Sequence, residues 1–323
     1  MDQRLRVFVT AAELGNFSRA ADALYLSQPA VSQQINSLET ELGVKLFSRT
    51  GRTVVLTKAG MAALAHGRDI LQLYGHMERV LEDMMHEAQG ELLIGASYTY
   101  GEYILPYVLS DFLRDHPRIT PAITISNTQD VEIGVSSGRF DIGIVEGELR
   151  LDGMRTYAFA KDEMQVVAAP EMAPSLMTPP GELDTGDPSD RTSTHDSPVE
   201  VRTAGDDVVR WLQGQTWIVR EPGSGTRDMT DRLFRDFAIS PRSLMEFTST
   251  QAIKEAVEAG LGVSFLSVWT LRKERQLRTL VPVALPGGTR VRDFILVQRA
   301  PEFETRATLL FADRLRERGL PAR

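Results

Sequence analysis

The sequence predicts an α+β multidomain protein: a small helical head carrying a β-hairpin, then a long helix, then a larger α/β region. Three observations predict it. The 323 residues exceed what one ordinary domain holds. Before Gly90 the apolar positions repeat at the helical period, interrupted by one short β-prone stretch. After Gly90 strands and helices alternate, the pattern of a mostly parallel sheet covered by helices. With 42% hydrophobic and 25% charged residues, the chain is composed as a soluble globular protein able to bury real cores. It holds no cysteine, which removes disulfides and thiolate metal sites and suits a cytoplasmic location. The start MDQRLRVFVTAAELGNFSRAAD is charged and amphipathic and does not read as a signal peptide. No apolar run approaches the roughly 18 residues a bilayer span needs, so no membrane partner is expected.

Leu5, Phe8, Val9 and Ala12 share one face of a first helix, which Gly15 ends. Ser18 is the expected N-cap of a short helix through Ala20, Ala21 and Leu24. The turn Tyr25-Leu26-Ser27 leads to a third helix, with Ser27 as cap and Pro29 in the first turn. Val31, Ile35, Leu38 and Leu42 form its apolar stripe, while Gln28, Ser32, Gln33 and Asn36 make an amide-rich opposite face. Short helices joined by a tight turn read as a helix-turn-helix, although an ordinary three-helix bundle shows the same pattern. Gln and Asn pair bidentately with adenine in the major groove, and Ser reaches bases or phosphates. Lys45–Phe47 and Val54–Leu56 then flank Ser48-Arg49-Thr50-Gly51-Arg52-Thr53, a hairpin with a basic tip whose Arg49 and Arg52 reach phosphates or the minor groove. The net charge of −8 is unevenly spread: residues 1–58 hold 7 Lys/Arg against 5 Asp/Glu, and the remainder carries −10. Binding to a polyanion needs local positive charge only.

From Thr57 to Gln89 there is no proline. Ile70, Leu73, Met77, Val80 and Met84 are spaced as a coiled-coil seam, widened by Leu71, Tyr74, Leu81 and Met85. Such a stripe is covered by a partner helix in a dimer or by the same chain. His66, His76 and His86 spread around the helix and form no metal cluster.

The α/β region reads as strands 92–96, 121–126, 140–145, 164–169, 217–220, 244–247 and 262–266 with helices between them, then strands 280–283 and 294–297 returning to the first sheet, and a last helix over 303–316. Three polar turns, Ser97–Tyr100, Glu221–Arg227 and Thr248–Thr250, stand at strand ends before helices. Each is explained by capping; together they also suit a ligand held by helix N-termini and a glycine-rich nest. Residues 172–207 are rich in Pro, Asp, Ser and Thr and read as a disordered acidic insertion, either a solvated loop or a partner-binding segment. EPGSGTRD lacks the spacing and lysine of a phosphate loop, and GxSxG and HExxH are absent. No catalytic residue, metal site or cofactor is expected, and the chain does not read as an enzyme.

The run FSRAADALYLSQPAVSQQINSLETELGVKLFSRTGRTVVLTKAG, residues 17–60, resembles the winged helix-turn-helix of LysR-type transcriptional regulators almost residue for residue. DIGIVEG, REPGSGTR and AVEAGLGVSFLS extend the resemblance through the remaining chain. It implies a winged helix-turn-helix over 1–58, a linker and dimerisation helix over 59–89, and an effector-binding domain over 90–323. That domain would have two α/β lobes like periplasmic solute-binding proteins, lobe 1 from 90–163 plus 268–323 and lobe 2 from 164–267. On the DNA side Ser18 and Arg19 would hold the backbone, the helix opening at Ser27 would place Gln28, Ala30, Ser32 and Gln33 in the groove, and Arg49 and Arg52 would serve the wing. In the cleft Ser97, Thr99 and Tyr100 would line one wall, Asn127 and Glu146 the floor, and Ser224, Thr226 and Arg227 the other lobe; unless Arg227 offsets Glu146, a ligand carrying an amine as well as an acid fits more easily than a bare oxyanion. Implied partners are double-stranded promoter DNA, a small polar or anionic metabolite, a second copy in a homodimer or homotetramer, and RNA polymerase. GASYTYGEYILP and DIGIVEGE are most similar to regulators of sulfur assimilation and carbon fixation. An architectural DNA binder without a ligand and a plain small-molecule binding protein are the other readings.

Overall fold

The computed structural model describes residues 3–50, 53–83, 89–147, 149–173, 204–301 and 304–321. The head opens with α1 (Gln3–Leu14), α2 (Phe17–Ala23) and α3 (Gln28–Leu42), followed by the antiparallel strands β1 (Phe47–Thr50) and β2 (Thr53–Leu56). Its core is built from the periodic positions: Phe8, Val31, Ile35 and Leu46 are buried, and the rings of Phe8 and Phe17 both pack edge-on against Phe47. Ala20 and Ala21 are buried too, which lets α2 lie close to its neighbours. Gly43 closes α3 at a left-handed φ of +68°, a conformation only glycine adopts cheaply. Three details differ from the sequence expectation. The cap of α2 is Asn16, whose side chain accepts from the Ser18 and Arg19 N–H groups, so Ser18 lies inside the first turn. Leu42 ends up exposed, because α3 stops there. The hairpin begins at Phe47 rather than Lys45, because Glu39 takes the preceding stretch: it accepts from the Leu46 and Phe47 N–H groups at 2.9 and 3.2 Å and pairs with Lys45 at 2.6 Å.

A single helix of 26 residues follows, α4 (Lys58–Asp83). Ile70, Leu73, Met77 and Leu81 on it are 44–55% exposed. His76, by contrast, is 1% exposed and joins α4 to the α/β region: its Nδ1 lies 3.1 Å from Asp141 Oδ1 and its Nε2 accepts from Arg299 Nη2 at 2.9 Å. An accepting Nε2 leaves the proton on Nδ1, directed at the carboxylate. Met84 and His86 lie outside the described residues.

The α/β region runs β3 (Gly90–Ser97), α5 (Tyr98–Tyr103), α6 (Leu105–Asp115), β4 (Ile119–Ser126), α7 (Thr128–Ser136), β5 (Ile142–Glu146), β6 (Arg155–Ala168), α8 (Ala204–Gln213), β7 (Thr216–Arg220), α9 (Gly225–Asp236), β8 (Ser243–Phe247), α10 (Thr250–Glu258), β9 (Ser264–Ser267), α11 (Arg272–Leu277), β10 (Val281–Val283), β11 (Arg290–Gln298) and α12 (Arg306–Arg318). The main sheet has the order β4-β3-β5-β11-β6-β10, with β9 also on β6; β3 is parallel to its neighbours and β11 is antiparallel to β5 and β6. The parallel pair β7–β8 joins through a bridge between Trp217 and Val263. Two cores result. One gathers Ile94, Phe112, Phe294 and Phe311; the other gathers Met164, Trp217, Leu233 and Phe265. β6 contributes to both and is the strand that crosses between two lobes. It starts nine residues before the strand expected from 164. β10 returns to this same sheet, as expected, but at the far end of β6, Val281 opposite Ala168, so that Val283 enters the second core rather than the first. Most of the expected acidic insertion, 174–203, lies outside the described residues; its last four residues, from Ala204, are the first turn of α8.

Candidate functional site

The outer face of α3 is open. Ser18, Arg19, Ser27, Gln28 and Gln33 are exposed and Ala30 and Ser32 half-buried, on a helix whose other side is locked into the head core. Ser27 caps α3 by accepting from the Ala30 N–H at 3.3 Å, and Gln28 Nε2 donates to Ser32 Oγ at 3.0 Å. The helix N-terminus and its amides therefore project outward as one rigid unit. Arg49 sits on β1, its side chain beyond what is described, and Arg52 lies outside the described residues.

The second candidate site is the cleft where β3, β5, β6 and β11 meet α9. Its centre is Arg292, 5% exposed, whose three nitrogens each find a partner: Nε donates to Asp162 at 2.8 Å, Nη1 to Thr226 at 3.1 Å and Nη2 to Thr99 at 3.0 Å. Glu146 stands 3.7 Å from Nη2 and accepts from the Ser97 hydroxyl. Asp162 also accepts from Ser267 at 2.6 Å. Burial pushes both carboxyls above their ordinary values, against the pull of the Arg292 guanidinium, because a buried anion forfeits its hydration. One guanidinium faces two buried carboxyls. Arg220 acts on Glu146 as a further cation, and the cluster suits a ligand that donates hydrogen bonds to that carboxyl.

A second buried arginine, Arg220, comes from the other lobe. It is chelated by Glu221 at 2.7 and 2.8 Å, donates to Thr250 at 3.3 Å and covers the ring of Tyr98 at 4.3 Å. Glu102, on the same helix as Tyr98, is raised by burial and pulled back by Arg220 and Lys254. The lobes also touch through bare backbone. A Cβ on Gly225 would lie 1.8 Å from the Glu146 carbonyl oxygen and one on Gly147 would lie 2.8 Å from the Gly225 Cα, so only glycines allow this approach. Beside it the Gln129 N–H donates to the Gly223 carbonyl at 3.2 Å.

Of the expected cleft residues, Ser97, Thr99, Glu146 and Thr226 converge on this cluster. Ser224 is buried at the N-terminal position of α9. Asn127 stands at the lobe boundary, with its side chain spent on capping α7 through the Asp130 N–H at 2.9 Å. Two expectations are corrected. Tyr100 points into the first core, fully buried, its hydroxyl donating to the Gly319 carbonyl at 2.6 Å and its ring edge-on to Phe159 and Phe294, because it lies on the core side of α5. Arg227 turns along α9 to Asp231, Glu246 and the Arg220 carbonyl, so it offsets no charge on Glu146; Arg292 does. Arg292, Asp162, Arg220 and Ser267 were not foreseen. Their pairing joins residues 130 apart in the chain for Arg292 and Asp162, and no local motif announces it.

Comparison with known proteins places the head and the α/β region in one family. Residues 3–61 match the model of the bacterial regulatory helix-turn-helix protein, lysR family, and residues 86–184 and 200–320 match the LysR substrate binding domain, the gap falling within the acidic insertion. The HTH-type transcriptional regulator CysL of Bacillus subtilis is 32% identical over 84% of this chain and 81% of its own length. A probable RuBisCO transcriptional regulator of Synechocystis is also 32% identical, over 87% of this chain and 75% of its own. Among solved structures, full-length CbnR complexed with its target DNA superposes with a TM-score of 0.69 at 21% identity, covering 98% of this chain and 99% of CbnR. The CcmR regulatory domain of Synechocystis in complex with 2-PG gives a TM-score of 0.56 at 22% identity, over 72% of this chain and all of that domain.

Proposed function

Because the chain belongs to the LysR family of transcriptional regulators, with an effector-binding domain behind a DNA-binding head, we propose how its two sites work. Regulators named CysL and RuBisCO transcriptional regulator are both among its matches, in keeping with the two subgroups expected from the sequence. In the proposed reading, α3 enters the major groove of promoter DNA with Gln28, Ser32 and Gln33 toward base edges, while Ser18, Arg19 and the wing arginines hold phosphates. The cleft takes a small polar metabolite bearing an acid group, for Arg292 or Arg220, and a hydrogen-bond donor, for Glu146. The 2-PG bound to the CcmR regulatory domain supports a small-molecule effector for this domain. The exposed apolar face of α4 supports pairing with a second copy, as a dimer or dimer of dimers reading two half-sites. The regulator acts in the cytoplasm, carries out no chemical step and signals to RNA polymerase through the angle of its bound DNA. Ligand changes that angle only through unequal affinity for the two arrangements.

One observation carries the reading: a single chain holds both an uncovered amide-bearing helix and a buried ion cluster where two lobes meet. The test is anisotropy of labelled genomic promoter fragments with full-length protein at moderate salt, repeated across a metabolite library. A fragment-specific affinity that a metabolite shifts, together with a raised melting temperature in that metabolite, is the expected outcome. Equal affinity for all fragments sinks it. Specific binding that no metabolite alters favours the ligand-independent architectural reading instead.

A further inference from the structure

β6 and β11 form an antiparallel ribbon in which Asp162 lies opposite Arg292, Glu163 opposite Val291 and Lys161 opposite Asp293. Side chains alternate across a pleated ribbon. Asp162 and Arg292 therefore point to one face, the cleft, and their neighbours to the other, where Lys161 pairs with Asp293 at 2.8 Å. On that second face lies a cavity of about 730 Å3, floored by Lys161, Glu163 and Val291. Its walls come from Tyr107 on α6, from Val268 and Trp269 just after β9, and from Arg272 and Arg275 on α11. The volume is that of an organic ligand pocket, typically about 300–1,000 Å3.

We propose that this cavity, back to back with the cleft across the β6–β11 ribbon, is a second small-molecule site, and that it takes a planar aromatic acid. Trp269 and Tyr107 supply flat apolar surface. Its lining carries three cations, Lys161, Arg272 and Arg275, against the carboxylate Glu163; with Asp293 paired to Lys161 at the edge the balance is still positive, on a chain whose net charge is −8. Arg272 already stands 5.8 Å over the Trp269 ring, an arrangement that an anionic ring between them extends. The site is wired to the cleft by two routes. The ribbon is one; the other is Ser267, whose hydroxyl accepts from the Trp269 N–H at 3.1 Å and donates to Asp162 at 2.6 Å. A ligand that shifts Trp269 thereby shifts the carboxylate that holds Arg292. The site does not depend on the cleft being an effector pocket.

The probe is 2-naphthoate, titrated calorimetrically into the full-length protein beside its neutral isostere 2-naphthylmethanol. The acid binds saturably and at least tenfold tighter than the alcohol. Arg272 and Arg275 are exposed and outside both cores, so the R272Q/R275Q variant keeps its melting temperature and binds the acid at least tenfold more weakly. K161Q, a change at a mostly exposed lysine, weakens it in the same direction. E146Q, in the cleft, stays within threefold of the parent. Absence of saturable binding, equal affinity for the alcohol, or unaltered affinity in R272Q/R275Q overturns the assignment. So does a larger loss in E146Q than in R272Q/R275Q, which would put the probe in the cleft.

Discussion

Replacing Arg292 by methionine isolates the electrostatics of the cleft. Methionine has nearly the length of the arginine stem but no charge, so Asp162 loses a 2.8 Å partner, Thr99 and Thr226 lose their donor, and Glu146 loses its nearest cation. Removing one member of a buried ion cluster costs about 3–5 kcal/mol, because the remaining charge is neither hydrated nor paired. For a domain this large that corresponds to a fall in Tm on the order of 10 °C at pH 7.5. The deficit depends on pH. Burial already raises the folded-state values of Glu146 and Asp162, and loss of Arg292 raises them further. A carboxyl raised on folding binds its proton more tightly in the native state; its stabilising effect is full below the unfolded value and lost as pH rises through the folded value. R292M therefore recovers toward the parent as pH falls from 7.5 toward 5, by up to about 1.4 kcal/mol per pH unit for each proton taken up. Scanning calorimetry of both proteins at both pH values measures this. A deficit below about 1 kcal/mol, or one that is the same at both pH values, refutes the charge-cluster account.

Three further outcomes are expected. Glu39 is held below the usual glutamate range: burial opposes this, but the Lys45 ammonium and the Leu46 and Phe47 N–H groups prevail. Its stabilisation is present at neutral pH and lost as pH falls through that depressed value, so E39Q lowers head stability by about 1–3 kcal/mol at pH 7 with the gap closing in acid, as followed by urea melts. Q33A relaxes base preference on matched against scrambled operators, whereas R49A weakens both alike and flattens the salt dependence; equal patterns from the two variants contradict the division of roles. G225A puts a methyl group against the Glu146 carbonyl, which costs about 1–3 kcal/mol and abolishes any metabolite effect on DNA affinity while leaving DNA binding itself intact.

What the sequence disclosed follows from the range of the forces involved. The head is governed by near neighbours: Ser27 and Pro29 start α3, Gly43 stops it, and Val31, Ile35 and Leu38 repeat at its period, so helix and face were both readable. The cleft was readable only where a motif ended a strand, as at Ser97 and Glu146. β6 escaped notice over its first half because Lys161-Asp162-Glu163 looks like a loop, yet Asp162 is buried by a partner from the far end of the chain. Tyr100 and Arg227 were misplaced for a different reason. A tight turn into a helix fixes which residues lie near a site, but a rotation of about 100° per residue decides which of them face it. That β10 returns to the main sheet was readable, but not which core it serves, because a three-residue strand carries no sign of its neighbours.

The glycine contact between the lobes also limits how they can move. With Gly147 and Gly225 at backbone distance, no side chain is left there to compress and the gap has no room to narrow. On the proposed reading the contact would act as a doorstop and fulcrum, so that a ligand lodged on one side of it would lever the far rims apart or together. In the proposed reading, cleft occupancy would be converted into tilt rather than translation, and small changes in effector size would emerge as changes in angle at the DNA end of the molecule.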